Sequence, residues 1–283
     1  MMSVEYNKPD NYQILDNTEL FWDWPNQRVK ILTYNNLGKN SLQRIKTLAA
    51  EAGMGKIISC APPSCQDMFL SQGFEVEGKI KGFFAGDDAL CYSFFLTGER
   101  ELSPVSYNGI FPAGSSWDIN KQANIIPKTS YVTKNAAEED IPGMIKLFRS
   151  VFATYPSPVF DAEYLRTNIK TNRVLYKVAV HDGKIIGIAS AEQDQTNLNA
   201  EITDCVTNPQ YRGQGILSEL ISELEEYLDA EGFICLYTLC RATQAAVNKA
   251  FFRLGYSFSG RLIKNCNICG SYEDMNILVK VLR

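Results

Sequence analysis

Residues 208–217, Asn-Pro-Gln-Tyr-Arg-Gly-Gln-Gly-Ile-Leu, join two segments of opposite periodicity. Ahead of them runs AEITDCVT, rich in β-branched residues. Behind them runs LSELISELEEYL, with Leu217, Leu220, Ile221, Leu224 and Leu228 on one helical stripe. A strand that turns at once into a long amphipathic helix belongs to an α/β architecture, with the helix packed on the sheet. The first backbone N–H groups of such a helix lack intrahelical partners and carry the positive end of its dipole. Glycines let the backbone approach an anion closely and Arg212 adds charge, so the junction reads as a seat for a phosphate or diphosphate. It is not a Walker A loop, because no Gly-Lys-Ser/Thr follows, nor a dinucleotide fingerprint, which needs a third glycine. A tight turn with a stray arginine is the plainer alternative.

The rest of the chain narrows the partners. Its 283 residues suit two domains better than one. A net charge of -4 argues against nucleic acid, which needs a basic surface. Apolar runs such as FICLYTLC are too short to span a bilayer, and MMSVEYNKPDNY has no signal-peptide pattern, so a cytoplasmic, membrane-free protein is expected. Eight cysteines are scattered along the chain, as expected of reduced, packed thiols. Cys266 and Cys269 have metal-ligand spacing and Cys60 and Cys65 form a looser pair, but His181 is the only histidine, so no metal is expected. His181 precedes the Asp182-Gly183 turn and is expected to be exposed at a strand end, which leaves any general base to another residue type.

Residues 99–130, rich in Pro, Gly, Ser and Asn, read as a connection between two halves, 1–128 and 129–283. The first half is expected to begin with the strand RVKILTYN, then alternate helix and strand to DALCYSFFLT. The second is expected to run β-α-α-β-β-β-α-β-α-β-β. FLSQGFEVEGKI (69–80) and FFRLGYSFSGRL (251–262) echo each other: a helix end, Gly-aromatic, then Gly-basic-aliphatic. We read this as a degenerate internal duplication of one α/β unit. The first copy lacks Arg-Gly-x-Gly, so chemistry belongs to the second.

Gln210-x-x-Gly213-x-Gly215 after a strand, then a long helix, a buried strand and a helix ending in Gly-aromatic, resembles the GNAT N-acetyltransferase superfamily over about residues 129–283. YPSPVFDAEYL (155–165), ASAEQDQTNLNAEITD (189–204), YTLCRA (237–242) and YSFSGRLIKNCNICGSYEDMN (256–276) are further similar to the β-lysine N6-acetyltransferases. The resemblance implies a mixed α/β GNAT fold in the second half, with a degenerate GNAT-like domain in the first. It implies acetyl transfer from acetyl-CoA, without a metal, to a small-molecule amine, most closely the N6 amine of β-lysine, giving a neutral compatible solute for osmoadaptation. RLIKN and NILVK depart from the family pattern near the presumed substrate pocket. Another small diamine or amino acid, or a non-catalytic acyl-CoA sensor, are the alternative functions. A monomer and a homodimer are both compatible with the sequence.

The same resemblance assigns roles. Cys205, Val206, Thr207, Arg212, Gly213, Gln214, Gly215 and Ile216 are expected to hold the cofactor, with Asn248 and Phe251 along its arm. The backbone N–H groups near Cys205 and Val206 would hold the developing oxyanion. An alkylammonium titrates near ~10.4, so a base must take its proton. Glu201 is the first candidate, with Asp204 and Glu192 in reserve. Cys205 is expected to pack rather than attack, which implies direct transfer in a ternary complex. Where many relatives carry a tyrosine as acid to the leaving thiolate, this chain has Phe251, and Tyr256 or Tyr237 are the replacements considered. Glu273, Glu192 or Asp161 would pair with the second ammonium of a diamino acid, Asn199 or Asn276 would bind its carboxylate, and Tyr155 would line its aliphatic stem.

Overall fold

The computed structural model describes residues 11–34, 37–103 and 129–283. Most of the connection expected at 99–130 lies outside the described residues. In the first half the elements are β1 (Tyr12–Leu15), β2 (Thr18–Asp23), β3 (Arg28–Ile31), α1 (Lys39–Glu51), β4 (Lys56–Ala61), α2 (Gln66–Ser71), β5 (Glu75–Phe84), β6 (Asp87–Phe95) and α3 (Gly98–Glu101). The second half opens with β7 (Val132–Asn135), α4 (Ile141–Val151), α5 (Ala162–Thr171), β8 (Val174–His181), β9 (Lys184–Asp194) and β10 (Asn199–Thr207). It closes with α6 (Ile216–Ala230), β11 (Cys235–Arg241), α7 (Ala245–Arg253), β12 (Ser257–Ile268) and β13 (Ser271–Val281).

The thirteen strands form one sheet, ordered β1-β2-β3-β4-β6-β5-β12-β13-β11-β10-β9-β8-β7. Outward from the β5–β12 junction the two directions match: β6, β4, β3, β2 and β1 on one side, β13, β11, β10, β9 and β8 on the other. In each half one parallel pair is joined through a helix, β3 to β4 by α1 and β10 to β11 by α6. The halves meet where Gly78 pairs with Gly260, the equivalent glycines of the two echoing segments. A Cβ on Gly260 would sit 2.3 Å from Gly78 Cα, and one on Gly78 would sit 2.9 Å from Gly260 Cα. Only glycine lets the backbones come this close.

Helix α6 buries Leu220, Ile221, Leu224 and Leu228 against Ala200, Ile202 and Leu236 on one face of the second half's sheet and against Phe251 of α7. Full burial of each such side chain stabilises by ~1.5–3 kcal/mol. On the opposite face, Met144, Leu147 and Phe148 of α4 and Leu165 of α5 pack on Val174, Tyr176, Val178 and Ile188. That second face is only partly covered by α4 and α5. Over β11–β13 its cover is the first half itself, through one apolar cluster that joins Ile80, Ala89 and Cys91 to Cys235, Met275 and Ile277.

Two expectations are corrected. The first half begins with the β1–β2 hairpin, whose turn residues Asp16 and Asn17 have φ of 50° and 62°, rather than with β3. His181 is half-buried, with Nδ1 2.7 Å from the Ser130 carbonyl oxygen. Cys269 and Gly270, with φ of 54° and 85°, form the β12–β13 turn, and no three metal-ligating side chains converge among the described residues. The eight cysteines are free thiols. No helix among the described residues is long and apolar enough to cross a membrane.

Candidate active site

Strands β10 and β11 run together only from Asn199–Cys235 to Glu201–Tyr237. Beyond that pair they diverge. A bulge between Thr203 and Val206 slips the β9–β10 register by one residue, and Asp204 sits there in the left-handed region at φ 48°. The extra residue bends β10 away from its neighbour. The wedge so opened is a cavity of about 630 Å³, walled by residues 202–207 of β10 and 238–241 of β11.

At its mouth stands the glycine junction. Arg212, Gly213, Gly215 and Ile216 all line the cavity. Gly213 and Gly215 have φ of 80° and 85°, and Gly215 caps α6 with no side chain accepting from the first turn. A Cβ on Gly215 would meet nothing, so glycine is needed there for its backbone conformation rather than for space. Arg212 is exposed, its Nε 3.4 Å from the Thr207 carbonyl oxygen. Arg241, Lys249 and Arg253 add charge to the wall, against one carboxylate, Asp204. An uncapped helix start rimmed by cations, leading into a wedge between two strands, can take an anionic group at its mouth and an extended, amide-bearing chain along the strands.

Inside, Glu201 lies two residues beyond the cavity-lining Thr203, on the same strand face. It does not line the cavity itself. Burial pushes its carboxyl up to about 7, and the charge of Glu192, its direct cross-strand partner, pushes the same way, while Lys30 of the first half opposes. Asp204 is also raised to about 7 by burial, against a hydrogen bond from Ser190 Oγ at 3.2 Å. Tyr155 lines the cavity, its ring 4.7 Å from that of Phe152, and burial, helped by the Asp204 charge, holds its hydroxyl well above the usual tyrosine range. Burial also drives the Cys205 thiol well up, and its Sγ faces the Thr203 carbonyl at 3.4 Å, the setting of a packed thiol rather than a nucleophile.

Several expected ligand contacts are corrected. Gln214 Oε1 accepts from the Thr129 backbone N–H at 2.8 Å, and its side chain is outside the cavity lining. Asn248 is fully buried and its amide is committed: Nδ2 donates to the carbonyls of Arg241 and Gln244, and Oδ1 accepts from Asn276. Asn276 in turn accepts from Arg261 Nε at 2.9 Å, so neither asparagine faces the cavity. Phe251 reaches the cavity wall from the core, edge-on to Tyr256 at 4.9 Å. Tyr256 is itself in that core, whereas Tyr237 is half-buried beside Glu201.

On the acceptor side, Asp161 is an exposed helix cap for α5, accepting from the backbone of Glu163 and Tyr164. Asn199 is buried and donates to the Phe83 carbonyl at 2.8 Å, tying the halves together. Glu273 is held by Arg241 at 2.6 Å. Glu192 stays near Glu201 and pairs with Arg173 at 3.1 Å. The sequence leads us to expect the first half to cover the core or shape the pocket without naming its residues: Cys60, Phe83 and Phe84 pack in one cluster with Tyr237 and Leu239, and the Phe83 and Tyr237 rings are 5.5 Å apart. No local pattern in residues 1–103 names these side chains, because the contact joins residues far apart in the chain.

The family model described as Acetyltransferase (GNAT) family matches residues 141–256, from α4 to the start of β12. A β-lysine N(6)-acetyltransferase of Methanosarcina mazei is 36% identical over 260 residues, covering 84% of this chain and 95% of that protein. N-acetyltransferase YodP of Bacillus subtilis is 32% identical over 262 residues, covering 91% of this chain and 93% of its own length. A second β-lysine N(6)-acetyltransferase, of Methanococcus maripaludis, is 28% identical over 258 residues, covering 90% of this chain and 93% of that protein.

Proposed function

The chain belongs to the GNAT family and is an N-acetyltransferase, and from that premise we propose that its acceptor is β-lysine, acetylated at the terminal N6 amine. The substrate follows from the relatives of that name, similar along nearly their whole length. The observation that carries the mechanism is the strand wedge, with an uncapped helix start at one end and a carboxyl raised to about 7 at the other. In this reading residues 129–283 form the catalytic domain and 1–128 a degenerate copy that walls the acceptor side.

Acetyl-CoA supplies an activated acyl group; everything else falls to the chain. Arg212, the Gly213–Ile216 backbone and the α6 dipole hold the diphosphate. The open edges of β10 and β11 take the pantetheine arm as an extra strand would. Glu201 accepts the proton of the acceptor ammonium, directly or through one water, and the freed amine attacks the thioester carbon. Backbone N–H groups near Cys205 and Val206 stabilise the charge gathering on the carbonyl oxygen. The C–S bond then breaks as the attacking nitrogen gives up its second proton, and that proton ends on the departing sulfur, whose thiol titrates near ~8.5 and so leaves with little need of a positioned acid. Transfer is direct, since Cys205 has no neighbour to activate it. Removing one positive charge from a dicationic amino acid gives a net-neutral product, consistent with a compatible solute.

Thiol release from acetyl-CoA with β-lysine, lysine and spermidine tests this reading. The expected order of kcat/KM places β-lysine first; faster turnover of spermidine would reassign the acceptor, and tight acetyl-CoA binding with no turnover of any amine would favour a sensor.

A further inference from the structure

The acceptor's amine has a partner in Glu201, but its carboxylate has none among the residues first considered for it. Asn199 and Asn276 are buried and engaged elsewhere. The β12 stretch beside the site presents Arg261, whose Nε is held by Asn276. The missing cation comes from the first half.

Strands β3 and β4 each turn one face towards the second half. Arg28 Nη1 reaches the Asn265 carbonyl at 3.0 Å, and Lys56 Nζ reaches the Ile263 carbonyl at 2.7 Å, both on β12. Side chains two residues apart on a strand share a face, so Lys30 and Cys60 point the same way. Cys60 completes the argument, because it packs in the same cluster as Tyr237 and Leu239, next to Glu201. Lys30, Cys60, Glu201 and Tyr237 are each half-buried although they lie between the halves.

The cations on this face differ in one respect. Arg28 is paired with Asp23 at 2.7 Å and Lys56 with Glu77 at 2.6 Å. Arg100, from α3, stacks on the Tyr272 ring at 3.7 Å. Lys30 makes no ion pair among the described residues; its Nζ stands 5.6 Å from the Phe21 ring centroid. The carboxylates around it are accounted for: Asp23 is taken by Arg28 and Asn26, Glu192 by Arg173, and Glu201 stays beyond ion-pair distance. A half-buried ammonium with no ion pair among the described residues is a seat for a small anion.

We propose that Lys30 binds the carboxylate of the acceptor, so that the degenerate first half, rather than the catalytic half, selects amino-acid over plain diamine acceptors. This rests on the acetyltransferase reading above and adds a specificity residue to it. The amine lies against Glu201, the carboxylate against Lys30, and the aliphatic stem between them along Tyr237 and Cys60.

The test compares the wild type with Lys30→Met and Lys30→Arg, using β-lysine and its neutral carboxamide as acceptors. A well-formed charge pair discriminates by about 10–100-fold. The expected result is a fall of that size in the acid-over-amide ratio of kcat/KM for Lys30→Met, partial recovery in Lys30→Arg, and unchanged acetyl-CoA affinity in both. Calorimetric titration of β-lysine into the CoA-bound protein should show the same loss in Kd, and it reads Lys30 whether or not turnover is seen. An unchanged ratio and unchanged Kd overturn the proposal. So does an equal loss on both acceptors with a shifted pH profile, since Lys30 would then act only by tuning Glu201. Absence of turnover on any amine in the wild type, with Lys30-dependent β-lysine binding intact, would instead overturn the enzymatic reading.

Discussion

Replacing Glu201 by Gln keeps the shape of the side chain and removes its ability to take a proton. The structure sets the scale of the loss. Glu201 titrates near about 7 instead of 4.5, because burial and the Glu192 charge outweigh Lys30. The acceptor ammonium titrates near ~10.4, so transfer to Glu201 is uphill by about 3.4 pK units, against about 5.9 for an ordinary glutamate. That shift lowers the barrier by a few kcal/mol at most, at ~1.4 kcal/mol per pK unit. A positioned general base is worth about 10²–10⁴ in rate. Glu201→Gln should therefore lower kcat by about 10²–10⁴, with acetyl-CoA affinity changed less than twofold. The pH profile is the sharper readout. Activity of the wild type should rise with pH through about 7, as Glu201 loses its proton, and this limb should vanish in Glu201→Gln. Asp204 also titrates near about 7, so Asp204→Asn is the control. If the limb survives in Glu201→Gln and disappears in Asp204→Asn, the base has been misassigned.

Further outcomes follow from the same structure. Arg212→Ala should raise the Kd for acetyl-CoA by about tenfold or more, the worth of one charge-assisted contact, while kcat at saturation stays within a few-fold. Gly260→Ala forces a Cβ to within 2.3 Å of Gly78 Cα and should cost ~1–3 kcal/mol in chemical denaturation, by overpacking the junction between the halves. Asn248→Ala strands Asn276 and two backbone carbonyls, and should lower stability by ~1–3 kcal/mol without changing acetyl-CoA affinity. Glu201 and Asp204 both have folded pKa values raised to about 7, so the stability linked to their neutral forms is full below ~pH 4 and is lost as pH rises through 7. The melting temperature should accordingly fall between pH 5 and 8, and the double variant Glu201→Gln, Asp204→Asn should flatten that slope.

What was legible in the sequence was what short-range physics encodes. The strand–glycine–helix unit at 199–230 depends on alternation, a left-handed turn and a 3.6-residue stripe, all visible within thirty-odd residues. The echo between residues 69–80 and 251–262 reads as a degenerate duplication of one α/β unit, and the pairing of Gly78 with Gly260 gives the shared glycine its physical reason. The β1–β2 hairpin was missed although Asp16-Asn17 between apolar runs is a turn signal, because the turn lacks glycine. Asn199, Asn248 and Asn276 misled in a different way. A buried asparagine engaged by distant backbone looks, in sequence, like one reserved for a ligand. Lys30 was invisible for the converse reason: the role proposed for it turns on its making no ion pair among the described residues, and only the packed molecule shows who is paired.

The claim on which the account stands is that the wedge between β10 and β11 takes acetyl-CoA with its diphosphate on the α6 start. A crystal structure of the chain with coenzyme A tests it most directly. The account requires diphosphate oxygens within hydrogen-bond distance of the backbone N–H groups at Gly213, Gly215 or Ile216, and the sulfur between Thr203 and Leu239. Coenzyme A bound elsewhere on the molecule, with the β10–β11 wedge closed, would contradict it.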